Sequence, residues 1–308
     1  MEDGIATVRC CELHVCFEGN LDRTFLKCSQ IFFKSSLNQF ELGWVGAVTK
    51  KLVPINRKIH AQKGWSQWNS HEFVSERNAI PLVGAEMARA AMLLPIAFIA
   101  QGNDYHLNAL TSLEPRRNLF INDEGQWLGT YVPTALRAYP FALANTEDGQ
   151  RLLCFDEASG LMKDCGEGVI RFFDDDGEIS VELAKVRDFL TSIDQNRVLT
   201  EKACQLFSQF EILEPWTITG KSGDGEVKIQ GLFRIDEKAL NKLDGERFLE
   251  LRAAGALTIA YLQLLSMTNL PLLGRLAEAH VQRASEMAEI MAESFMPADS
   301  DDLQFNFD

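Results

Sequence analysis

The strongest constraint on the fold is the alternation of short apolar runs with compact turn signals, interrupted once by a long helical pattern. Gly102, Asn103 and Asp104 separate the run 96–100 from a second extended run through Leu113, which predicts a hairpin. A helix capped by Ser180 is predicted to continue to about Phe210. The pattern indicates an α+β fold, with small antiparallel β units, a long central helix and C-terminal helices, and not a doubly wound sheet.

Further runs extend this pattern on both sides of the long helix. Residues 118–121 and 127–132 flank an acidic, glycine-containing turn, and residues 216–219 and 227–235 flank a second loop, so each pair predicts a hairpin. Residues 248–267 predict one helix. The side chains expected to be buried on it are Leu249, Leu257, Tyr261 and Leu264.

The formal charge of −14 is concentrated at the C-terminal end of the chain. Residues 277–308 contain eight acids and one base, a net charge of −7 and half of the total. Basic residues cluster only in pairs, such as Arg116 with Arg117. Such a charge distribution repels phosphate backbones, which excludes nucleic-acid binding as a main function.

Composition divides the chain into three regions. Residues 1–48 form an atypical leader, 49–276 a globular region, and 277–308 an amphipathic helix with an acidic tail. Because valine can be encoded by an alternative start codon, an over-extended gene start ending near Val48 is one interpretation of the leader. Four leader cysteines and a histidine lack the paired spacing of zinc knuckles, which favours a poorly ordered leader over a zinc site. They are Cys10, Cys11, Cys16, Cys28 and His14.

The remaining sequence features favour a soluble, cytoplasmic protein. No secretory signal is visible, and the long uncharged stretch 253–274 contains enough polar residues to favour a buried helix over a membrane span. Seven cysteines, an odd number, argue for reduced thiols. Cys154 and Cys204 lie in apolar sequence and are expected to be structural.

The sequence does not match established catalytic or metal-binding motifs. Gly220-Lys221-Ser222 lacks the glycine that a phosphate-binding loop requires, since Pro215 occupies that position. The acidic run 174–178 fits no calcium-loop register, no HExxH motif is present, and no serine lies in a nucleophile elbow. We therefore expect no metal and no cofactor, and the sequence leaves open whether the chain is an enzyme.

Several short sequence segments in the globular region together resemble the SapC family. The resemblance depends on their order and number, and it extends over roughly residues 49–276. The segments are Lys51–Arg57, Ile80–Val83 with Glu86, Leu93–Ile99, Asn118–Phe120, Tyr131–Pro133, Leu136–Arg137, Tyr139–Phe141, Cys154–Asp156, Glu214–Trp216, Gly231–Asp236 and Gly255–Leu257 with Tyr261.

The resemblance implies a bacterial protein of a family named after a surface-layer gene locus. It does not imply the similarly named peptide-transporter permease, which needs several long apolar helices. Family members resemble accessory proteins encoded beside flavin-dependent halogenase-like proteins, cupin-like oxygenases and outer-membrane receptors. The function expected is therefore a non-catalytic accessory or binding role with a partner protein. The alternative is an uncharacterised enzyme, or a small-molecule or peptide-binding protein, associated with oxygenase or halogenase-like systems.

A ligand pocket is predicted from polar and amphipathic residues within these apolar segments. An arginine between aromatic rings can bind a carboxylate or stack on a ring, and neighbouring prolines rigidify the backbone. The alternative is that Arg137 pairs with an internal acid while the tyrosines pack. The candidate ligand-binding residues are Glu86, Tyr131, Arg137, Tyr139, Asp156 and Trp216.

A protein-binding segment is predicted at the C-terminal end. Residues at helical spacing from Leu276 onward form an amphipathic, methionine-rich stripe, and apolar residues alternate with acids beyond Pro297. Packing on the protein's own core is the alternative for the helix, and an acidic solubility tail is the alternative for the last residues. The candidate partner-binding residues are Met287, Met291, Phe295, Leu303, Phe305 and Phe307.

Overall fold

The computed structural model describes residues 51–145, 151–222 and 225–295. The leader therefore lies outside the described residues, as do Leu303, Phe305 and Phe307. The strands, numbered in chain order, are β1 Leu52–Pro54, β2 Lys63–Trp65, β3 Ala79–Pro81, β4 Ile96–Gln101, β5 Asp104–Leu110, β6 Phe141–Asn145, β7 Arg151–Asp156, β8 Met162–Asp164, β9 Ile170–Arg171, β10 Leu213–Pro215, β11 Ile218–Ser222, β12 Gly225–Ile229 and β13 Leu232–Ile235.

The largest sheet has five antiparallel strands in the order β10-β13-β4-β5-β3. Its centre is the predicted hairpin β4–β5, in which Gln101 faces Asp104 across a tight turn. Gly102 occupies this turn with a φ of 61°, a conformation that glycine adopts without steric cost. The hairpin prediction is confirmed.

Smaller antiparallel units surround this sheet, in agreement with the predicted α+β class. They are the three-stranded sheets β1-β7-β6 and β8-β2-β9 and the two-stranded hairpin β11-β12. In the second of these sheets β2 pairs with a neighbour on each side, which fixes Trp65 between Met162 and Ile170.

The helices differ widely in length. In chain order they are α1 Arg57–His60, α2 Met87–Ala90, α3 Thr134–Arg137, α4 Val181–Gln209, α5 Glu237–Asn241, α6 Gly245–Ala253, α7 Ala256–Ser266 and α8 Leu270–Phe295. The caps predicted from sequence are present, since Ser180 accepts a hydrogen bond from Leu183 N and Asp236 accepts bonds from the first turn of α5.

The long helix α4 contributes to two hydrophobic cores. Its N-terminal half buries Leu183 and Leu190 among the phenylalanines of the smaller sheets. Its C-terminal half buries Cys204 and Phe207 against the five-stranded sheet, together with α2, α7 and the start of α8. Because an α-helix rises 1.5 Å per residue, the 29 residues of α4 span about 43 Å, enough to reach both cores.

Two predicted hairpins differ from the structure. Between residues 118 and 132 the chain makes the expected turn, but its strands are reduced to a single bridge between Ile121 and Trp127. Residues 227–235 form two strands, because Gly231, with a φ of 87°, turns the chain between β12 and β13. Strand β13 then pairs with β10 and β4 in the large sheet.

The predicted helix 248–267 is also two helices, α6 and α7, separated by Gly255 with a φ of 69°. Burial differs as well, since Leu249 and Tyr261 are 58% and 47% exposed. The face that α7 buries combines Ile259 with small and polar residues, which are Ala256, Ala260, Gln263 and Ser266. The apolar periodicity therefore indicated the wrong face.

Helix α8 begins on the core and continues beyond it. Leu273 is buried, whereas every residue from 281 to 291 is exposed. One helical stretch, Ala256–Met291, is apolar and long enough to cross a membrane by length and composition, with 33% of its most apolar window buried. A single stretch of this kind is weak evidence for a span, because core helices of soluble proteins pass the same test.

Candidate functional site

The predicted residue Glu86 lies at the centre of a buried hydrogen-bond network. It is only 5% exposed. Its carboxylate accepts bonds from Val83 N at 2.9 Å, from the Tyr131 hydroxyl at 2.6 Å, and from both the backbone N–H and the hydroxyl of Thr134 at 2.8 Å. Four donors compensate the loss of hydration that burial of a carboxylate requires. Glu86 therefore joins its own helical turn to the start of α3.

Tyr131 connects this network to Arg137. The Arg137 guanidinium carbon lies 5.9 Å from the centre of the Tyr131 ring and 5.5 Å from that of Phe189 on α4. Burial raises the pKa of Tyr131 far above its usual value, the hydrogen bond to Glu86 adds to this rise, and the charge of Arg137 opposes it. Tyr131 therefore remains a protonated hydrogen-bond donor at neutral pH.

Tyr139 follows Arg137 by two residues and lies close to Asp156. The Tyr139 ring stacks on Phe73 with 3.8 Å between ring centres, and its pKa is raised by burial and by the charge of nearby Asp156. Asp156 is 1% exposed and accepts hydrogen bonds from Lys51 N and Ala158 N. Its own N–H donates to the carbonyl of Pro140, which follows Tyr139 through a cis peptide bond.

A cleft of about 260 Å³ opens beside these residues. Five aromatic side chains form most of its walls, and Arg137 is the charged member of the lining. It is bounded by β2 and the segment after it, by the turn from α3 into β6, and by α4. The lining residues are Trp65, Gln67, Trp68, Arg137, Ala138, Tyr139, Pro140, Phe141, Val186 and Phe189.

The six predicted ligand-binding residues thus fall into three groups. Arg137 and Tyr139 line the cleft, whereas Glu86, Tyr131 and Asp156 are buried around it and support its walls. Trp216 follows β10 and packs in the core of the five-stranded sheet. Within the described ranges, no hydrogen bond, ion pair or ring contact joins Trp216 to the other five. Ligand binding by these residues remains a prediction.

Sequence reasoning missed Trp65, Trp68 and Phe189 as members of the cleft. The two tryptophans are three residues apart and flank a polar glutamine, which is a weak signal for an aromatic surface at the end of a strand. The sequence does not distinguish Phe189 from the other apolar residues of α4, because it recurs at the same helical spacing as the residues that pack in the core. The alternative of an acid paired with Arg137 is not what the structure shows, since no carboxylate among the described residues lies within ion-pair distance of it.

Trp68 also belongs to an aromatic cluster around His71. The imidazole lies 4.7 Å from Trp68, 6.2 Å from Phe73 and 5.8 Å from Trp127, measured between ring centres. Its two ring nitrogens are buried without a well-aligned hydrogen bond among the described residues. Burial lowers the pKa of His71, and the nearby Gly125 carbonyl partly opposes this shift. The imidazole is therefore neutral at neutral pH.

The described cysteines are free, and two of them are deeply buried as predicted. Burial raises the pKa of Cys154 and raises that of Cys204 to about 12, so neither forms a thiolate readily. In the part of the chain that the structure describes, no group of three or more histidine, cysteine and acidic side chains could hold a metal ion.

The C-terminal helix exposes the methionines predicted to bind a partner. Met287 and Met291 are 47% and 57% exposed, while the Phe295 side chain lies outside the described set. Before these methionines, His280 lies 3.0 Å from the Leu119 carbonyl oxygen, and Arg283 pairs with Asp123 at 4.0 Å. Residues 281–291 are exposed, and partner binding remains a prediction.

Comparison with known protein families gives a match over most of the chain. No curated protein and no solved structure matches the chain. The sequence profile of the SapC family matches residues 55–273, which is more than two thirds of the chain and nearly the range over which the resemblance was expected. The matched range includes every residue of the aromatic cleft and of the network behind it. The chain therefore belongs to the SapC family.

Proposed function

We propose that the protein is a non-catalytic binding protein that holds a small ligand in the aromatic cleft and acts together with a partner protein. The observation that carries this proposal is the composition of the cleft lining. Aromatic faces and one guanidinium supply affinity and orientation, the combination typical of small-molecule sites.

The same lining lacks groups suited to general acid–base or nucleophilic chemistry. Among the described lining residues there is no carboxylate, imidazole, thiol or aliphatic hydroxyl. Tyr139 could in principle transfer a proton, but burial and the charge of Asp156 raise its pKa further above neutrality. An efficient catalytic group has a pKa near the working pH, so these residues favour binding over reaction.

The buried residues behind the cleft support the same proposal. Glu86 already accepts four hydrogen bonds, and Tyr131 keeps its proton. A carboxylate with its acceptor sites occupied has little capacity to accept a proton from a ligand. We therefore assign Glu86 and Tyr131 to holding the wall of the cleft, not to a reaction.

The partner is proposed from the C-terminal helix. Its exposed face includes Met287 and Met291, which are four positions apart and therefore lie on the same side of the helix, and methionines adapt their shape to a partner surface. The segment 277–308 has a net charge of −7, so the partner proposed is a cytoplasmic protein with an apolar groove flanked by lysine and arginine.

Ligand-observed NMR on the purified protein tests the binding role. A library of aromatic acids, amides, amines and short proline-rich peptides would be screened against the wild type and against Trp68→Ala. Tyr261→Ala is the matched control, because it removes an exposed aromatic ring on α7 outside the cleft. We expect hits that disappear in Trp68→Ala and persist in Tyr261→Ala.

Two results would contradict the proposal. If the wild type and Trp68→Ala give the same hits, the cleft is not the binding site. If the NMR signals of a hit convert with time into those of a product, the protein is an enzyme, which is the rival function. Thermal unfolding of each variant would establish that a lost hit reflects the missing ring and not an unfolded protein.

A further inference from the structure

The charge of the cleft selects the sign of its ligand. Arg137 is the charged side chain among the described lining residues, and no ion pair within the described ranges neutralises it. Although the chain carries a net charge of −14, charges farther than about 8 Å are largely screened at physiological ionic strength. Glu86 and Asp156 lie behind the cleft, but their carboxylates accept hydrogen bonds from donors within the protein. The guanidinium is the charged group on the described lining itself and favours an anionic group there.

The guanidinium is held in place by the aromatic rings around it. Its contacts with the rings of Tyr131 and Phe189, at 5.9 and 5.5 Å, restrict its movement at the edge of the cleft. Tyr131 is itself fixed by its 2.6 Å hydrogen bond to Glu86. This chain of contacts orients Arg137 before any ligand arrives, which lowers the entropic cost of binding.

Geometry favours a carboxylate over a phosphate. A planar guanidinium binds a singly charged carboxylate through two parallel hydrogen bonds, and the two charges balance. A doubly charged phosphate needs more compensation than one arginine offers, and such sites normally gather several backbone N–H groups or further cations. The other polar side chains on the described lining include Gln67 and Tyr139, and neither carries a charge at neutral pH.

The volume and walls of the cleft define the rest of the ligand. About 260 Å³ lies just below the range of roughly 300–1,000 Å³ typical of sites for drug-sized molecules, so a small ligand fits and a large cofactor does not. Trp65, Trp68 and Phe189 offer ring faces and edges, against which flat rings pack more favourably than aliphatic chains of equal size.

We propose that the cleft binds a small planar aromatic carboxylate, with the carboxylate on Arg137 and the ring against the aromatic walls. The inference rests on the proposed function and narrows it to one class of ligand. A peptide is the less favoured occupant, because a cleft of about 260 Å³ accommodates little more than one side chain and a terminal carboxylate.

Isothermal titration calorimetry with three probes tests the proposal. The probes are 2-naphthoate, its neutral amide 2-naphthamide, and cyclohexanecarboxylate, which is charged but not aromatic. Wild type, Arg137→Gln and Arg137→Lys would be compared at pH 7.5. Arg137 is exposed, so both variants should fold, and their thermal unfolding would be recorded as a control.

We expect 2-naphthoate to bind the wild type more tightly than either other probe. Arg137→Gln should weaken 2-naphthoate roughly tenfold to hundredfold, the usual effect of losing a charge-assisted hydrogen bond, and leave 2-naphthamide nearly unchanged. Arg137→Lys should recover part of the loss, because it keeps the charge and loses the planar fork.

The outcomes separate this inference from the proposed function. If 2-naphthamide binds as tightly as 2-naphthoate and Arg137→Gln changes neither, the carboxylate assignment is wrong, while binding in the cleft stands. If cyclohexanecarboxylate equals 2-naphthoate, the aromatic assignment is wrong. If none of the three binds while other library compounds bind in the cleft, the ligand class is wrong and the function stands. If nothing binds there, both fail.

Discussion

Glu86 shows how a single buried charge can be recognised in a sequence before its role is known. Glu86 is an acid within an apolar segment, and a charge buried there must be paired. The structure pairs it with neutral donors, chiefly Tyr131 and Thr134, and not with Arg137. The local sequence therefore predicts that Glu86 is buried and paired. It does not predict the partner, because Tyr131 lies 45 positions away.

Glu86→Gln should destabilise the protein more than Tyr131→Phe. The amide keeps one acceptor oxygen and places an NH₂ group against donors, so buried hydrogen bonds are lost and donors are left unpaired, at a cost of about 2–4 kcal/mol. Tyr131→Phe removes one donor and leaves three for the carboxylate, at a cost of about 1–2 kcal/mol. Urea unfolding followed by circular dichroism measures both. If Glu86→Gln loses less unfolding free energy than Tyr131→Phe, Glu86 is not the centre of this buried hydrogen-bond network.

His71 should make the fold sensitive to acid. Burial lowers the pKa of its imidazole below the unfolded-state value of about 6.5, so the unfolded chain takes up a proton first as the pH falls. The stability of the folded state is therefore undiminished above about pH 6.5 and decreases as the pH falls toward 5. His71→Phe keeps a ring in the aromatic cluster but cannot titrate. The drop in unfolding free energy from pH 7.5 to 5.0 should be smaller in the variant, and an equal drop would contradict this role.

At the scale of secondary-structure elements, features that depend on neighbouring residues could be predicted from the sequence. Features that depend on contacts between distant segments could not. Ser180, Asp236 and Gly102 act through neighbouring backbone groups, so the cap or turn at each position could be predicted from a few residues. The buried face of α7 could not be predicted in this way, because it is determined by polar contacts with two strands that are distant in the sequence. Gln263, with no exposed surface, accepts a hydrogen bond from Ile235 N and donates one to Ile96 O.

Gln263→Leu should therefore be strongly destabilising although it makes α7 more apolar. It leaves one backbone N–H and one carbonyl on neighbouring strands without a partner, which costs about 2–4 kcal/mol. Leu265→Ala on the same helix is the control, because its side chain is 54% exposed and its removal should change stability by at most about 0.5 kcal/mol. Urea unfolding of the two variants gives the comparison. Similar effects from both would show that the polar contacts of Gln263 contribute little.

The cleft illustrates why a site is harder to predict than an element. Arg137 and Tyr139 were selected because they lie near prolines in one segment, and both line the cleft. Trp65 and Phe189 come from a strand and a helix more than 100 residues apart, and only the packing of α4 against the smaller sheets brings them together. The prediction of Trp216 rests on its place as an amphipathic residue in an otherwise apolar segment, and its side chain packs in the other core instead.

At the scale of the whole molecule, the C-terminal segment separates from the rest in charge and in packing. The core ends near Leu273 and Ala277, and residues 281–291 of α8 are exposed. Deleting residues 297–308 should leave the melting temperature almost unchanged while weakening partner capture in the native host. Full-length and truncated baits, compared by quantitative mass spectrometry, provide the measurement. Unchanged capture would refute docking by the tail, and a large loss of stability would show that the tail belongs to the folded core.

The central claim is that the aromatic cleft binds a ligand without transforming it, and a crystal structure grown with 2-naphthoate tests it most directly. The account predicts density for an unaltered naphthoate in the cleft, with its ring against Trp68 and Phe189 and its carboxylate within hydrogen-bond distance of the Arg137 guanidinium. Clear density at another site with the cleft empty, or a chemically altered ligand in the cleft, would contradict the account.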